Sequence, residues 1–275
     1  MSTHDEIRLA ERIERTAWID QLAAAPRALA EALGLHTEEL GGATLLISQR
    51  LPLTLFNRAM GLGIDEPADE RAIDAIERAY AARGVSRYWV HTTPVSEPSR
   101  ALVDWLGAHG FTRPPRSHWA KMLRDVSPLG AVRSQLVVRE AHPAERASLS
   151  RVIAAAHGMP APIAAWIEAI AGRERWTLFG VWSPAAEPIA AGLVFVDGKR
   201  AWLGLAGTLA AERRRGAQGL LLRARIERAA ELGCEVVGTE TGEPIAGEHN
   251  PSLANMERVG FRKVCSRANH ERVLG

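Results

Sequence analysis

Two stretches of this chain repeat one another, so any fold that suits the first must also suit the second. Pro67 to Arg83 carries Ile73, Ile76 and Tyr80 at the spacing of one helix face, and Gly84 follows as the left-handed residue that ends helices. An extended apolar run comes next (Val85 to Thr92), then a second helical stretch (Pro98 to His109) closing on Gly110-Phe111. The same order recurs downstream. Gly216 to Leu232 is helical, with Leu222, Ile226, Ala229 and Ala230 on one face and Gly233 behind it. A strand run follows from Cys234 to Thr241, then a helix from Pro251 to Val259 closing on Gly260-Phe261. The glycine interval is 26 residues in the first block (Gly84 to Gly110) and 27 in the second (Gly233 to Gly260). Chance seldom reproduces helix, strand, helix and Gly-Phe at one interval, so the architecture reads as internally duplicated.

Extended segments precede each block. They are Ala43 to Gln49 and Leu53 to Ile64 in the first half, and Gln135 to Arg139, Trp176 to Trp182, Ile189 to Asp197 and Arg200 to Gly207 in the second. Asp197-Gly198 between two apolar runs predicts a hairpin, and Ser183-Pro184 with Glu187-Pro188 predicts another turn. The first forty residues read as alanine-rich helix with Trp18, Leu22 and Leu29 as apolar contacts. Asp125 to Arg133, carrying Pro128 and Gly130, reads as a linker, which predicts domains at 1–130 and 134–275. A length of 275 residues also favours two domains, at roughly 100–200 residues each. Each half is then α+β: helices, an antiparallel meander, a helix, a strand, a helix and final strands.

Composition excludes several classes. Hydrophobic residues make up 47% and charged residues 24%, ordinary values for a globular chain and unlike a disordered one. The longest apolar run, Ile189 to Val196, is far too short to span a bilayer, and Met1 to Arg15 is too charged for a signal peptide. Cys234 and Cys265 give neither a disulfide framework nor metal-ligand spacing. The expectation is a soluble, cytoplasmic protein with no membrane partner, a monomer or homodimer. Of 34 basic residues only Lys121, Lys199 and Lys263 are lysine, a bias that a GC-rich genome also produces. A net charge of +2 with no basic stripe argues against a nucleic-acid partner. The nine histidines are scattered singly, His91 and His109 reading as core-edge residues, and no hydrolase or nucleotide-loop motif occurs.

The chemistry signal lies at Thr208 to Leu220, where a strand runs through Arg213-Arg214-Arg215-Gly216-Ala217-Gln218-Gly219 into a helix. A helix start offers unpaired N–H groups and the positive end of its dipole, and both suit phosphate. Gly216 and Gly219 would let a diphosphate approach the main chain, and arginine adds fork-shaped donors. A solvated arginine turn would carry the same residues.

This segment resembles motif A of the GCN5-related N-acetyltransferase (GNAT) superfamily, Gln/Arg-x-x-Gly-x-Gly/Ala, with Arg213, Gly216 and Gln218 in the three defined places. Gln218 departs from the usual small residue. Pro251 to Phe261 resembles motif B of the same superfamily. The resemblance covers about Gln135 to the C-terminus, and extends over the first 125 residues only through the repeated architecture. It implies tandem GNAT-like domains, each a mixed, largely antiparallel sheet flanked by helices. It further implies acetyl-CoA (coenzyme A) as cofactor and a small-molecule amine as acceptor. The residues it points to are Ala206, Gly207 and Thr208 for main-chain bonds to the pantetheine arm. Arg213, Arg214, Arg215, Gly216, Ala217, Gln218 and Gly219 would hold the diphosphate, and Asn250 and Asn255 are polar groups near the cofactor.

Transfer to an amine needs a base, and Glu240, near the end of the central strand, is the candidate, with Glu243 and His249 as weaker alternatives. Glu240 bonding only its neighbouring loop is the competing reading. Met256 stands where many family members place a tyrosine that protonates the leaving thiolate. A thiol of pKa near 8.5 can leave without such an acid. Trp166 and Trp202 are candidates for lining an acceptor cleft. In the first half the matching loop is Asp65-Glu66-Pro67-Ala68-Asp69-Glu70, whose four carboxylates would repel a diphosphate. The first half therefore reads as a degenerate copy, with one active site per chain. A module that binds acyl-CoA without turnover is the alternative.

Overall fold

The four helices of the repeated blocks end in the same way. The computed structural model, which describes residues 3–51, 53–95, 98–245 and 248–274, places them as α3 (Glu70–Ala82), α4 (Pro98–Ala108), α7 (Ala217–Glu231) and α8 (Pro251–Arg258). Gly84, Gly110, Gly233 and Gly260 all take φ between 69° and 86°. The amide after each glycine donates back five residues: Val85 to Tyr80, Phe111 to Leu106, Cys234 to Ala229 and Phe261 to Met256, at 2.9–3.1 Å. This closure uses up the last carbonyls of each helix, and only glycine takes the required turn without cost. Phe111 and Phe261 are then carried directly into the core. On α3, Ile73, Ile76 and Tyr80 are fully buried as their spacing predicts; on α7, Leu222, Ile226 and Ala229 are buried but Ala230 is exposed.

In chain order the remaining elements are α1 (Thr3–Ala23), α2 (Arg27–Leu33), β1 (Leu35–Leu40), β2 (Ala43–Ser48), β3 (Arg58–Met60), β4 (Arg87–Thr92) and β5 (His118–Asp125). There follow β6 (Val137–Glu140), α5 (Arg146–Ala156), α6 (Ala161–Ala171), β7 (Trp176–Trp182), β8 (Pro188–Asp197), β9 (Arg200–Thr208), β10 (Val236–Gly242) and β11 (Arg262–Val273). Two expectations change. The helix of the first forty residues gives way at Leu35 to an edge strand, whose Leu40 turns through Gly41-Gly42 into β2. Leu53 to Ile64 supplies only the three residues of β3, because Thr54–Phe56 forms a 3-10 turn instead.

The strands form one open sheet ordered β1-β2-β3-β4-β11-β5-β10-β9-β8-β7-β6. Among the described residues only β3–β4 and β9–β10 are parallel, one pair in each half. The final strands are exchanged: β11 pairs with β4 of the first half, and β5 pairs with β10 of the second. The expected pair of sheets is thus joined into one. Side chains alternate between two helical layers. Leu193, Phe195 and Trp202 pack beneath α1, α5 and α6, while Val194, Ala201 and Leu203 pack beneath α7 and α8. Leu45, Ile47 and Val90 pack against α3 and α4 on that second face. No helix among the described residues is long and apolar enough to cross a membrane.

A charged cluster sits inside the first layer. Glu14 of α1 is wholly buried and bonds Lys121 of β5 and Arg267 of β11, with Arg58 of β3 at 3.2 Å. Glu11 lies 3.7 Å from both Lys121 and Arg267. Burial opposes ionisation of Glu14, yet Arg267, Lys121 and Arg58 hold its carboxyl well below the usual range. His91 of β4, buried among the same cations, is held well below its usual pKa by burial and by Arg267 and Arg58. Removing one partner of such a cluster leaves uncompensated charge in a low dielectric. Glu14→Ala is therefore expected to lower unfolding stability by about 3–5 kcal/mol, read from urea denaturation. A loss below ~1 kcal/mol would show that the cluster is solvated and dispensable.

Candidate functional site

β9 and β10 begin side by side and then part. They pair only through Arg200–Trp202 and Val236–Gly238, although β9 runs on to Thr208 and β10 to Gly242. The gap starts where β9 is deformed. Its register against β8 jumps from Leu193↔Gly204 to Gly192↔Ala206, leaving Leu205 as an extra residue at φ 44°. A bulge of this kind bends its strand and breaks the ladder, and positive φ at leucine is strain held by the surroundings. Two cavities open from the gap.

The first, about 890 Å³, lies at the start of α7. Gly216 caps that helix at φ 85° with no side-chain bond, so the first-turn N–H groups have no capping partner. A Cβ built on Gly216 would meet nothing within 4 Å. Ala206, Gly207 and Thr208 of β9 line this cavity with Arg213, Arg214, Ala217, Gln218, Asn255 and Arg258. Arg258 was not apparent from the repeat or the motifs; its signal is a cation in the last turn of α8. Three of the residues singled out above serve other ends. Arg215 is ion-paired with Glu212. Asn250 accepts from the Ser252 and Leu253 amides, capping α8, and its amide nitrogen ties that cap to Thr241 and Gly242 of β10. Gly219 sits in the first turn of α7 outside the residues that line the cavity. Gln218, the odd residue of its motif, donates to Ser252 at 3.1 Å and accepts from Asn255 at 2.7 Å, so its bulk clamps α7 to α8.

The second cavity, about 300 Å³, passes through the gap between the layers. Its walls are apolar and aromatic, with Trp18, Phe56, Trp166 and Trp202 in edge or tilted contacts 5.4–6.5 Å apart. Gln218 and Ser252 line both cavities, so the two meet there. Met256 and His157 also face it, and the His157 ring nitrogen bonds the Ala206 carbonyl at 2.9 Å.

Glu240 reaches this cavity from the charged cluster. Trp202 Nε1 donates to its Oε2 at 3.0 Å, and Lys121, its cross-strand partner, lies 3.5 Å from the same oxygen. Burial raises the Glu240 pKa and Glu14 raises it further, while Lys121, Arg267 and the Trp202 bond act against the shift. The alternatives lie elsewhere: Glu243 is held by Lys263 and Ser266, and His249 is not among the lining residues.

Neither family models nor curated proteins match the sequence. The three-dimensional arrangement does find counterparts. A GCN5-related N-acetyltransferase from Kribbella flavida superposes with TM-score 0.65 at 16% identity, covering 97% of this chain and 96% of its own. A tandem GNAT protein from the clavulanic acid biosynthesis pathway gives 0.63 at 14%, covering 100% and 97%. A GCN5-related N-acetyltransferase from Sphaerobacter thermophilus gives 0.60 at 15%, covering 74% and 66%. The fold is that of a tandem GCN5-related N-acetyltransferase.

Within this GNAT fold, the first-half loop that matches Arg213 to Gly216 is spent on structure. Asp65 accepts from Arg12 and Arg15 of α1, and Asp69 caps α3 through the Arg71 amide. The two GNAT-like halves thus differ in the chemistry of one loop. For Glu240, Trp202→Phe removes a donor that favours the charged form, so its pKa is expected to rise further. Carboxyl ¹³C NMR titration of wild type and variant measures this directly, and an unchanged or lower pKa would rule the bond out as a determinant.

Proposed function

We propose that the chain transfers an acyl group from coenzyme A to the amine of a small molecule, using one site in its C-terminal half. The observation that carries this reading is the opening between β9 and β10, which joins an arginine-lined, uncapped helix start to a cavity holding a buried carboxylate. The residues present fit coenzyme A. The first turn of α7 behind Gly216, with Arg213, Arg214 and Arg258, would hold the diphosphate, and the β9 main chain from Ala206 to Thr208 the pantetheine arm. When bound, the cofactor supplies an acyl group activated as a thioester. Asn255 and Gln218 brace the cradle through their mutual bond, whereas Asn250, Arg215 and Gly219 support it from outside.

The acceptor would enter the aromatic cavity and give up its proton to Glu240. Burial suits the carboxylate to this task, because a base with a raised pKa accepts a proton more readily near neutral pH. Lys121 and Trp202 fix the carboxylate in place. Met256, buried beside the cavity, offers no proton, so thiol release depends on the thiol's own acidity and the nearby arginines. Met256 is also what favours the second reading, a module that holds acyl-CoA without turnover. Thiol release from acetyl-CoA with a panel of amines separates the two: turnover with any acceptor excludes the binding module. In this division of labour, residues 134–275 carry the cofactor and residues 1–130 support the acceptor side.

Calorimetry should give one coenzyme A per chain. Gly216→Asp sets a like charge against the diphosphate. At about 4 Å and an effective dielectric near 20 the repulsion is on the order of 4 kcal/mol, weakening affinity by hundreds-fold. At φ 85° any side chain also strains the backbone by about 1 kcal/mol. Gly216→Ala shares that cost without the charge, so the alanine variant should melt as low but bind far better. Arg215→Ala should cost tenfold or less, since Arg215 is spent on Glu212. Undiminished binding by Gly216→Asp, or two sites per chain, would overturn the assignment. Glu240→Gln should lower kcat by roughly 10²–10⁴ while leaving coenzyme A affinity intact. The wild-type rate should rise with pH through a group above the ordinary carboxylate range, as the base must be unprotonated.

A further inference from the structure

Arg225 lies on the buried face of α7, among Leu221, Leu222, Ile226 and Ala229, and is 2% exposed. Its Nε donates to the Leu221 carbonyl at 3.0 Å, and its Nη1 to Leu193 at 3.0 Å and Gly204 at 3.4 Å, beside the bulge in β9. Nη2 makes no hydrogen bond or ion pair among the described residues, and the side chain lines the 300 Å³ cavity. The buried cations Arg58, Lys121 and Arg267 all face Glu14, whereas Arg225 makes no ion pair with an acid among the described residues. Burial alone pushes its pKa down to about 9, with no charged neighbour contributing. A guanidinium set in an apolar cavity without a counter-ion is costly to fold around, and its free donors suit a planar anion.

We propose that Arg225 selects a carboxylate at the far end of the acyl chain, so that the site takes the coenzyme A thioester of a short dicarboxylic acid. This rests on the acyl-transfer reading above. The acyl side is favoured over the acceptor side by position. Arg225 shares the α7 face of the sheet with the arginine-lined cavity, and Leu222 and Met256 give the methylenes an apolar wall. Glu240 stands in the charged cluster under α1, on the opposite face. The terminal carboxylate would accept charge-assisted hydrogen bonds from Nη2.

The test is calorimetry on the full chain with coenzyme A, acetyl-CoA and succinyl-CoA, for wild type, Arg225→Met and Arg225→Lys, beside their melting temperatures. Wild type should bind succinyl-CoA about ten- to a hundredfold more tightly than acetyl-CoA, the range expected of one hydrogen bond to a charged group. Arg225→Met should erase that preference while binding coenzyme A itself as wild type does, and Arg225→Lys should retain part of it. Equal wild-type affinities for the two thioesters overturn the proposal without any variant. So does a preference that survives in Arg225→Met. If Arg225 only braces the bulge, the Met variant melts lower and loses affinity for all three ligands alike. A further arm titrates the coenzyme A complex with phenylalanine and with phenethylamine; an Arg225-dependent preference for the amino acid there places the carboxylate on the acceptor and overturns the acyl assignment. Failure of wild type to bind coenzyme A at all instead overturns the acyl-transfer reading, and this proposal with it.

Discussion

Glu14 is the contact on which the architecture turns. It is wholly buried on α1, and it meets cations from three strands, Arg58 of β3, Lys121 of β5 and Arg267 of β11. Charges removed from water must find one another, and here they do so across the two exchanged strands, β5 and β11, which lie side by side at the centre of the sheet. The register is equally constrained. Lys121 and Leu123 face α1, whereas Ala120 and Met122 face the opposite layer. A slip of one residue in β5 would bury Lys121 among the apolar side chains under α7 and leave Glu14 facing Ala120 or Met122. Hydrophobic packing alone would resist that slip less, since both layers are apolar. The ionic cluster thus ties α1 to one register of β5 and joins strands from both halves.

The same cluster fixes the electrostatics of the site. Glu240 is opposite Lys121 in the antiparallel ladder, so the strand that ends the first half supplies the cation beside the second half's buried carboxylate. Burial and then Glu14 push the Glu240 pKa up while Lys121, Arg267 and the Trp202 bond restrain it, and the balance depends on each side chain staying within a few ångströms. On the other face of the sheet Arg213, Arg214, Arg225 and Arg258 line the two cavities, and the acid among them, Glu212, is paired with Arg215. The sheet thus separates a region suited to anions from one holding a carboxylate, and the bulge at Leu205 opens the passage between them.

What could be read in the residues was local. Helices α3, α4, α7 and α8 were legible because glycine closure is written within six residues, and the hairpin at Asp197-Gly198 because its turn is. Arg213, Arg214, Gly216 and Thr208, which the sequence singles out, line the larger cavity together, and Trp166 and Trp202 line the aromatic one. The strand exchange was not legible, because β5–β10 and β4–β11 join residues more than a hundred positions apart. Nor were Glu14, Lys121 and Arg267, whose meaning exists only once they meet. Asn250 and Arg215 look like ligand groups in a linear motif, but short-range partners claim them. Arg225 did leave a trace: it interrupts the face formed by Leu222, Ile226 and Ala229, a position where an arginine has no ordinary reason to be.

The acidic loop of the first half gains a different meaning from this geometry. Asp65 accepts from both Arg12 and Arg15 and is held below its usual pKa by them against the effect of burial. Arg8 reaches the neighbouring Ile64 carbonyl at 3.0 Å. All three arginines belong to α1, on turns adjoining Glu11 and Glu14, so the loop anchors the helix that delivers the buried acids. A diphosphate cradle needs an uncapped helix start and arriving cations; here Asp69 closes the helix start and Asp65 has already taken the cations. One loop cannot serve both ends. The residues that cap α3 and take up the α1 arginines also position the helix from which Glu14 reaches Lys121, and through Lys121, Glu240.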